Sequence, residues 1–418
     1  METLPHRDAS PPRQKLWIVT ELYYPENNQT GYYMTQIAEG LAADLDIKII
    51  CGQPNYAARG HRAPKHELHN GVEIFRVWST LFDKNVLPLR LINMLTLGAS
   101  MLFRALRKLE KDVGVVVVSA PPSLLFIAAL AAKIRRAPLY LIIQDKYPEI
   151  LVAVGSVKNN SFLVKLLNGF NRWLYRRAEK IVVVGRDMGE LVASQMDDQD
   201  AGKISVIQNW ASLEEIEPRP RSQNRLLNDL QIGHKLVFLY AGNMGHPQDI
   251  ESIVKCAELL KDDERFHFIF IGSGVKRKWL ENAIRSRRLD NTTLLDPLPR
   301  AEQEVFLNAC DVGLVPLVEN MFGVAMPSRT YNLLAAGKPV LALTDENSEV
   351  SRVLREERVG WNVPPLAPEK LLAAIETIYE NRERLPEMGR LARLAAEKKY
   401  SVAVAVAKYR QLILNDGK

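Results

Sequence analysis

The sequence predicts an α/β protein of the doubled kind, two Rossmann-like domains whose parallel sheets face a central cleft. Three observations carry this. Short, nearly continuous apolar runs alternate with longer amphipathic stretches along the whole chain, the pattern of parallel strands covered by helices on both faces. That rhythm occurs twice, once on each side of the charged, proline-bearing segment EEIEPRPRSQNRLLND at 214–229. And 418 residues exceed one ordinary core, which fits two domains of roughly 200 residues each.

In the first half LWIVT (16–20) reads as the opening strand, followed by a helix from about Gly31 to Leu45 with apolar residues at helical spacing. Strands follow at IKIIC (47–51), VEIFRV (72–77), VGVVVVS (113–119), LYLIIQD (139–145) and KIVVV (180–184). In the second half the strands are KLVFLYAG (235–242), FHFIFIG (266–272), NTTLLD (291–296), DVGLVPL (311–317) and PVLALT (339–344). Helices separate them at 247–261, 276–288, 300–309 and 328–336. The expected division is a disordered tail at 1–14, a first domain at 15–208, a linker at 209–229 and a second domain at 230–400. A last helix within 401–418 is expected to return to the first domain.

Hydrophobic content of 47% and charged content of 25% are those of a soluble globular chain. A formal charge of +6 suits an anionic partner: a nucleotide, a nucleic acid or an acidic membrane surface. Nucleic acid is disfavoured, because no basic stripe is interleaved with aromatics. Cys51, Cys256 and Cys310 are scattered thiols that form neither a disulfide framework nor a C-x-x-C metal pattern, which points to a reducing cytosol. METLPHRDASPPRQK has no apolar core and does not read as a signal peptide.

In open parallel sheets, ligands collect at the carboxyl ends of strands. The second half has four features there: AGNMGHPQD (241–249), IGSGVKRK (271–278), PLVENMFG (316–323) and PSRTYN (327–332). Gly242, Gly245, Gly272 and Gly274 would let backbone amides approach a ligand, although each glycine pair alone is also an ordinary turn. No G-x-G-x-x-G follows either domain's first strand, so a nicotinamide dehydrogenase is disfavoured. Arg329 stands in the first turn of a helix, where a cation opposes the helix dipole, so an anion is expected beside it. The competing reading is an ion pair of Arg329 with Glu319 or Glu302.

The runs YAGNMGHPQDIESIV, FIFIGSGVKRKWLE, DVGLVPL, MPSRTYNLLAAGKPVLAL and SEVSRVLREERVGWNVPP together resemble the donor domain of glycosyltransferase family 4. The nearest likeness is to bacterial O-antigen, capsule and colanic-acid type enzymes. TELYYPENNQTGYYMTQIAEGLA, SAPPSLLFIAALAAKI, IIQDKYPE and QNWASLEEI are similar to that family's first domain and interdomain segment. The resemblance implies a GT-B fold, with an acceptor domain first and a nucleotide-sugar donor domain second. It further implies transfer with retention of configuration, a nucleoside-diphosphate sugar as donor substrate, and neither metal nor cofactor. DDQD (197–200) and KDDE (261–264) read as solvated surface, not a metal site.

The sequence departs from that family's pattern in two places. The usual E-x7-E pair is missing: Asn332 stands where the second Glu bonds the ribose, and Val324 where the first would be. The usual Arg and Lys after the first donor-domain strand are replaced by Asn243 and HPQD. The expected donor site therefore rests on Ser328, Arg329 and Thr330, whose amides and guanidinium would hold the diphosphate as charge builds on it. Asn332 or Glu349 would reach the ribose, with Glu349 equally readable as a carboxylate complementing a helix N-terminus. Gly31 would let the first loop approach the diphosphate or sugar. Asp145 and Glu149 would orient or deprotonate the acceptor hydroxyl, with Asp145 alternatively a turn residue. Lys276 and Arg277 would add positive potential or simply lie on the surface.

Residues 86–111 carry a polar stripe of Arg90, Asn93, Thr96, Ser100, Arg104, Arg107 and Lys111 against a broad apolar arc. This reads either as a helix lying on an anionic membrane or as a core helix covering the first sheet, and not as a convincing spanning segment. The expected partners are the donor, a polyprenyl-diphosphate-linked or other glycan acceptor, and such a membrane on the cytoplasmic side. Two rival readings are an epimerase of the same fold and an inactive subunit that supports a partner enzyme.

Overall fold

A computed structural model describes residues 13–415 except 27, 56–61 and 84–85. The tail expected at 1–14 therefore lies almost wholly outside the described residues. Contacts divide the chain into two compact units, one made of 1–142 with 177–179, the other of 143–176 with 180–418.

The first unit holds β1 (Lys15–Val19), β2 (Asp46–Cys51), β3 (His66–His69), β4 (Val72–Arg76), β5 (Gly114–Val118) and most of β6 (Leu139–Ile143). Their order is β3-β4-β2-β1-β5-β6, with every pairing parallel except β3 against β4. The central strands are β-branched and buried along their whole length, as in GVVVV and LYLII. Sequence reading missed β3, although Asn70-Gly71 between the strands is a hairpin signal; both residues adopt positive φ, 44° and 81°.

The second unit begins its strands with β7 (Lys180–Val183) and β8 (Ile204–Val206), which pair in parallel. It then forms a six-stranded parallel sheet from β9 (Leu236–Ala241), β10 (Phe266–Ile271), β11 (Thr292–Leu295), β12 (Val312–Pro316), β13 (Val340–Leu343) and β14 (Gly360–Val363). The order β11-β10-β9-β12-β13-β14 reverses direction between β9 and β12. That is the switch point at which open α/β sheets leave a crevice beyond the strand ends. The core is dominated by β9 and β10, where Phe238, Tyr240, Phe266, Phe268 and Phe270 are fully buried.

Part of the expected linker, 209–229, is ordered and anchored. Asn224 caps a short helix, Arg225–Asp229, Leu227 is buried, and Arg221 pairs with Asp311. The final helix spans Val402–Asn415. Cys51, Cys256 and Cys310 are free, and burial pushes each thiol up to about 12, so all three are unreactive at neutral pH.

Candidate functional site

The switch point of the second unit is organised around Arg329. It opens the helix Arg329–Ala335, which is pressed onto β12 so closely that a Cβ on Gly313 would come within 2.3 Å of Leu333. At its other end Arg393 donates to the carbonyls of Ala335 and Ile216, at 2.9 and 2.7 Å, which supplies the cation expected at a helix C-terminus. A helix fixed at both places sets the height of Arg329.

The Arg329 guanidinium lies 4.3 Å from the ring centre of Tyr240, a fully buried residue near the end of β9. It also closes against Gly242, where a Cβ would be 2.9 Å from Nη2 and where φ is +147°. Both facts require glycine there. The Nη1 atom is buried without a hydrogen-bond partner, and no carboxylate pairs with Arg329 among the described residues. Glu302 pairs with Arg225 instead, so the ion pair considered from sequence does not form with it. A buried donor left open in this way is costly unless a ligand completes it.

The neighbouring loops are less available than their glycines suggested. Gly242 donates to Ile271 at 2.9 Å, Met244 to Ser273 at 2.7 Å, and Gly245 to the Gln248 side chain at 2.9 Å. A Cβ on Gly272 would collide with the Gly242 carbonyl at 2.0 Å, and on Gly274 with that of Met244 at 2.5 Å. These glycines let two strand-end loops close on each other, so their amides are mostly committed to the fold. Asn243 is exposed, and its carbonyl accepts from the Tyr240 hydroxyl at 2.6 Å. The Thr330 amide likewise donates to Pro327 at 3.1 Å, so it does not face an anion as expected; Ser328 caps without a side-chain bond. The helix has only seven residues. The guanidinium, rather than a row of amides, carries the open donor here.

Asn332 is half-buried on the same helix, and its side chain has no partner in the described structure. Val324, where the family pattern has a Glu, is buried among Leu317, Met321, Ile150, Ala153 and Leu191. A carboxylate could not stand there without a partner. Its carbonyl accepts from Lys146 at 2.8 Å, and Asp145 bridges to Ala325, which brings the Gln144–Glu149 segment beside the approach to Arg329.

Asp145 is half-buried, and loss of water around its carboxyl raises the pKa to about 6. Glu149 is occupied: one oxygen accepts from Lys146 at 2.9 Å and the other from Gln195 at 2.6 Å. Lys146 is almost completely buried, so Glu149 is the counter-charge that keeps it inside. Glu349 is also occupied. It is fully buried and accepts from the backbone and Nε of Arg186, both at 2.9 Å, while its own amide donates to Asp187. Its place in the first turn of Glu349–Glu357 matches the helix-terminus reading of that residue. Lys276 holds Gln248 and Glu251, and Arg277 holds the Leu295 carbonyl and Asp296. Sequence reasoning missed Tyr240, Lys146, Arg186 and Asp187, because nothing in an apolar strand or a turn reveals which side chain will be enclosed.

In the first unit, Gly31 lies in the first turn of Gln29–Leu41. Its amide donates to Asn28 at 2.8 Å, and a Cβ would strike the Glu26 carbonyl at 2.6 Å. It serves the local packing. The stripe-bearing helix spans Leu87–Lys108. Leu97, Met101 and Ala105 enter the core, whereas Leu91, Ile92, Leu95 and Phe103 are exposed. Asn93 bonds both backbone groups of Phe82, and Thr96 bonds Thr80, so part of the polar stripe tethers a loop. By length and composition, Pro88–Lys108 meets the requirement for crossing a bilayer, and 22% of its most apolar window is buried in the protein.

Two family descriptions match the chain. "Glycosyl transferase 4-like domain" covers residues 30–210 and "Glycosyl transferases group 1" covers 223–395. A probable glycosyltransferase WbjE of Pseudomonas aeruginosa is 36% identical over 64% of this chain and 66% of its own length, just short of two thirds of that relative. The putative colanic acid biosynthesis glycosyl transferase WcaI of Escherichia coli is 24% identical over 90% of this chain and 94% of its own. Among solved structures, Anabaena HepE in complex with UDP-glucose superposes with a TM-score of 0.70 at 14% identity, over 96% of this chain and 100% of that one.

Proposed function

This chain belongs to the GT-B glycosyltransferases of the group 1 and family 4 type, and on that premise we propose that it builds bacterial surface polysaccharide. It would transfer a hexose or N-acetylhexosamine, with retention of configuration and without a metal, from a nucleoside-diphosphate sugar to a lipid-linked or other glycan acceptor. The observation that carries this reading is Arg329, an uncompensated guanidinium held over Tyr240 at the switch point with a buried donor left open.

The chemistry follows from that placement. As the bond from the anomeric carbon to the β-phosphate oxygen breaks, its electron pair moves onto the diphosphate. Arg329 neutralises the growing charge, an interaction strongest in the transition state. The acceptor hydroxyl attacks from the face the diphosphate is leaving and passes its proton to the departing phosphate oxygen, so no protein nucleophile is required. Asp145, largely ionised at neutral pH with its pKa near 6, accepts a hydrogen bond from the incoming hydroxyl and orients it. Glu149 acts through Lys146 as a positioning residue. Asn332 contributes an amide to the ribose in place of the missing carboxylate. The exposed apolar part of Leu87–Lys108 rests on the cytoplasmic face of the membrane, where a lipid-linked acceptor is found.

Thermal shift against UDP-, GDP-, dTDP- and ADP-sugars, with Arg329→Ala alongside, tests the reading. A saturating shift with one nucleotide sugar, lost in the variant, supports it, and donor turnover in the same sample separates a transferase from an inactive subunit. Free altered sugar released without acceptor would instead identify an epimerase.

A further inference from the structure

The loop that pairs with the Asp145 segment is tied down by a buried carboxylate to which no role has yet been given. Asp187 stands in the first turn of the helix Arg186–Ala193 and is buried. Its Oδ1 accepts the Met188 amide at 2.7 Å, and its Oδ2 accepts those of Glu349 at 2.9 Å and Gly323 at 3.2 Å. One side chain thus joins the turn after β7, the first turn of Glu349–Glu357 and the loop that follows β12. A carboxylate can accept all three bonds, whereas an amide has a single acceptor oxygen. Burial pushes the Asp187 carboxyl above its usual range, and the amide bonds work against that by favouring its ionised form. The neighbouring cations are engaged elsewhere, Arg186 with Glu349 and Glu356, and Arg352 with Glu190.

Gly323 is fitted to this contact. Its φ is +66°, and a Cβ there would stand 2.6 Å from the Asp187 carbonyl oxygen and 2.9 Å from the Leu191 Cβ. Only glycine lets the loop come so near. The next two residues hold the Asp145 segment: the Val324 carbonyl accepts from the Lys146 amide at 2.8 Å, and Ala325 bridges Asp145. The same loop then runs through Pro327 and Ser328 into the helix that begins at Arg329. Met321 and Val324 anchor it by apolar packing as well, but such packing is non-directional and does not fix a register. The directed bonds at Gly323 and Val324 do.

We infer that Asp187 is a positioning residue: through Gly323 it fixes the loop after β12 against the Asp145 segment, and so sets the surroundings of Asp145 and its place relative to Arg329. The catalytic consequence, a correctly oriented acceptor hydroxyl, rests on the transferase reading; the control of Asp145 by Asp187 does not. A reacting group displaced by a fraction of an ångström loses much of its effect, so a carboxylate that touches no substrate can still govern the rate.

The test uses the full chain and two variants that loosen this contact from opposite sides, each checked for fold by circular dichroism. Asp187→Asn cannot accept all three bonds, and Gly323→Ala keeps Asp187 but pushes the loop off it. Glu190→Gln is the control, because it breaks the Arg352 bonds between the same two helices without touching the loop. Lys146 and Glu149 pair with each other beside Asp145 and are unaltered in all three. Carbon-13 labelling of aspartate follows the Asp145 carboxyl by NMR, its signal assigned by its loss in Asp145→Asn. Wild type should titrate near 6, where burial places it. Both loop variants should admit water and lower that midpoint by at least about one pH unit, with Glu190→Gln unchanged. Acceptor transfer at pH 7 should fall at least about tenfold in both, donor affinity should stay within about twofold, and the acidic limb of the rate should move with the carboxyl. A midpoint unmoved in the folded variants would overturn the proposal, as would an equal shift in Glu190→Gln. An acidic limb lost in Asp187→Asn but kept in place in Gly323→Ala would trace it to the proton of Asp187 itself and overturn it too. If Asp187→Asn does not fold, Gly323→Ala alone decides. The two readings fail separately: a wild type that transfers no sugar sinks the transferase, while the carboxyl titration needs no substrate.

Discussion

Two arginines of the second unit stand near buried strand ends and differ in one respect. Arg186 is enclosed by acceptors: Glu349 takes its Nε and backbone amide at 2.9 Å, and Glu356 takes Nη1 at 2.7 Å. Among the described residues Arg329 has only the face of Tyr240, and one of its donors is buried with no acceptor there. The first charge is used up in holding a turn to a helix. The second leaves a buried donor open, which costs stability unless a ligand completes the bond. Commitment, not charge, separates the two.

Four experiments would break or sharpen that contrast. The largest stability effect belongs to Arg186→Ala, which removes the counter-charge of the fully buried Glu349 while leaving it the backbone amide of residue 186, and should destabilise the protein by about 3 kcal/mol, read as a shift of the urea midpoint. If the midpoint stays put, Arg186 is no more structural than Arg329. Next, Arg329→Ala should lower the rate of donor turnover by about 2–4 kcal/mol in transition-state stabilisation while leaving the midpoint near its original value. A large loss of stability with activity per folded molecule preserved would reverse the assignment.

Asp145→Asn comes third. Its carboxyl pKa lies above the unfolded value, so the folded chain holds the proton more tightly and stability falls as pH rises from about 4 through about 6. The variant should therefore match wild type at pH 4 and exceed it by about 2 kcal/mol at pH 8. A constant difference across that range would show that another group dominates. The smallest effect is expected of Lys276→Met, which removes contacts to Gln248 and Glu251 worth about 1 kcal/mol and should leave donor binding intact. Lost donor binding there would move Lys276 into Arg329's class.

The alternation of apolar runs made every strand of the two central sheets legible except the short or weakly patterned ones, β3, β8 and β14. IKIIC and FHFIFI announce themselves because a strand buried on both faces cannot admit polar residues. GWNV and ISV are too brief for any period to emerge. The site was legible where a residue violated a local rule, as Arg329 does at a helix start. It was illegible where function depends on enclosure: Glu149 and Glu349 look as available in sequence as Asp145, and only packing shows that Lys146 and Arg186 occupy them. Glycines marked the loops at the strand ends, where Gly272 and Gly274 serve loop-on-loop closure.

Tyr240 serves two neighbours at once, with its ring under the Arg329 guanidinium and its hydroxyl on the Asn243 carbonyl. A phenol's near-ultraviolet absorption depends on the charge above its ring and on the bond its oxygen donates. An anion that draws the guanidinium away, or a loop that shifts by the length of a hydrogen bond, would alter that band. On the proposed function, Tyr240 would report occupancy beside Arg329 optically. Tyr240→Phe would keep an aromatic face for the cation and remove that phenol band, so loss of the signal from a difference spectrum would assign it to Tyr240.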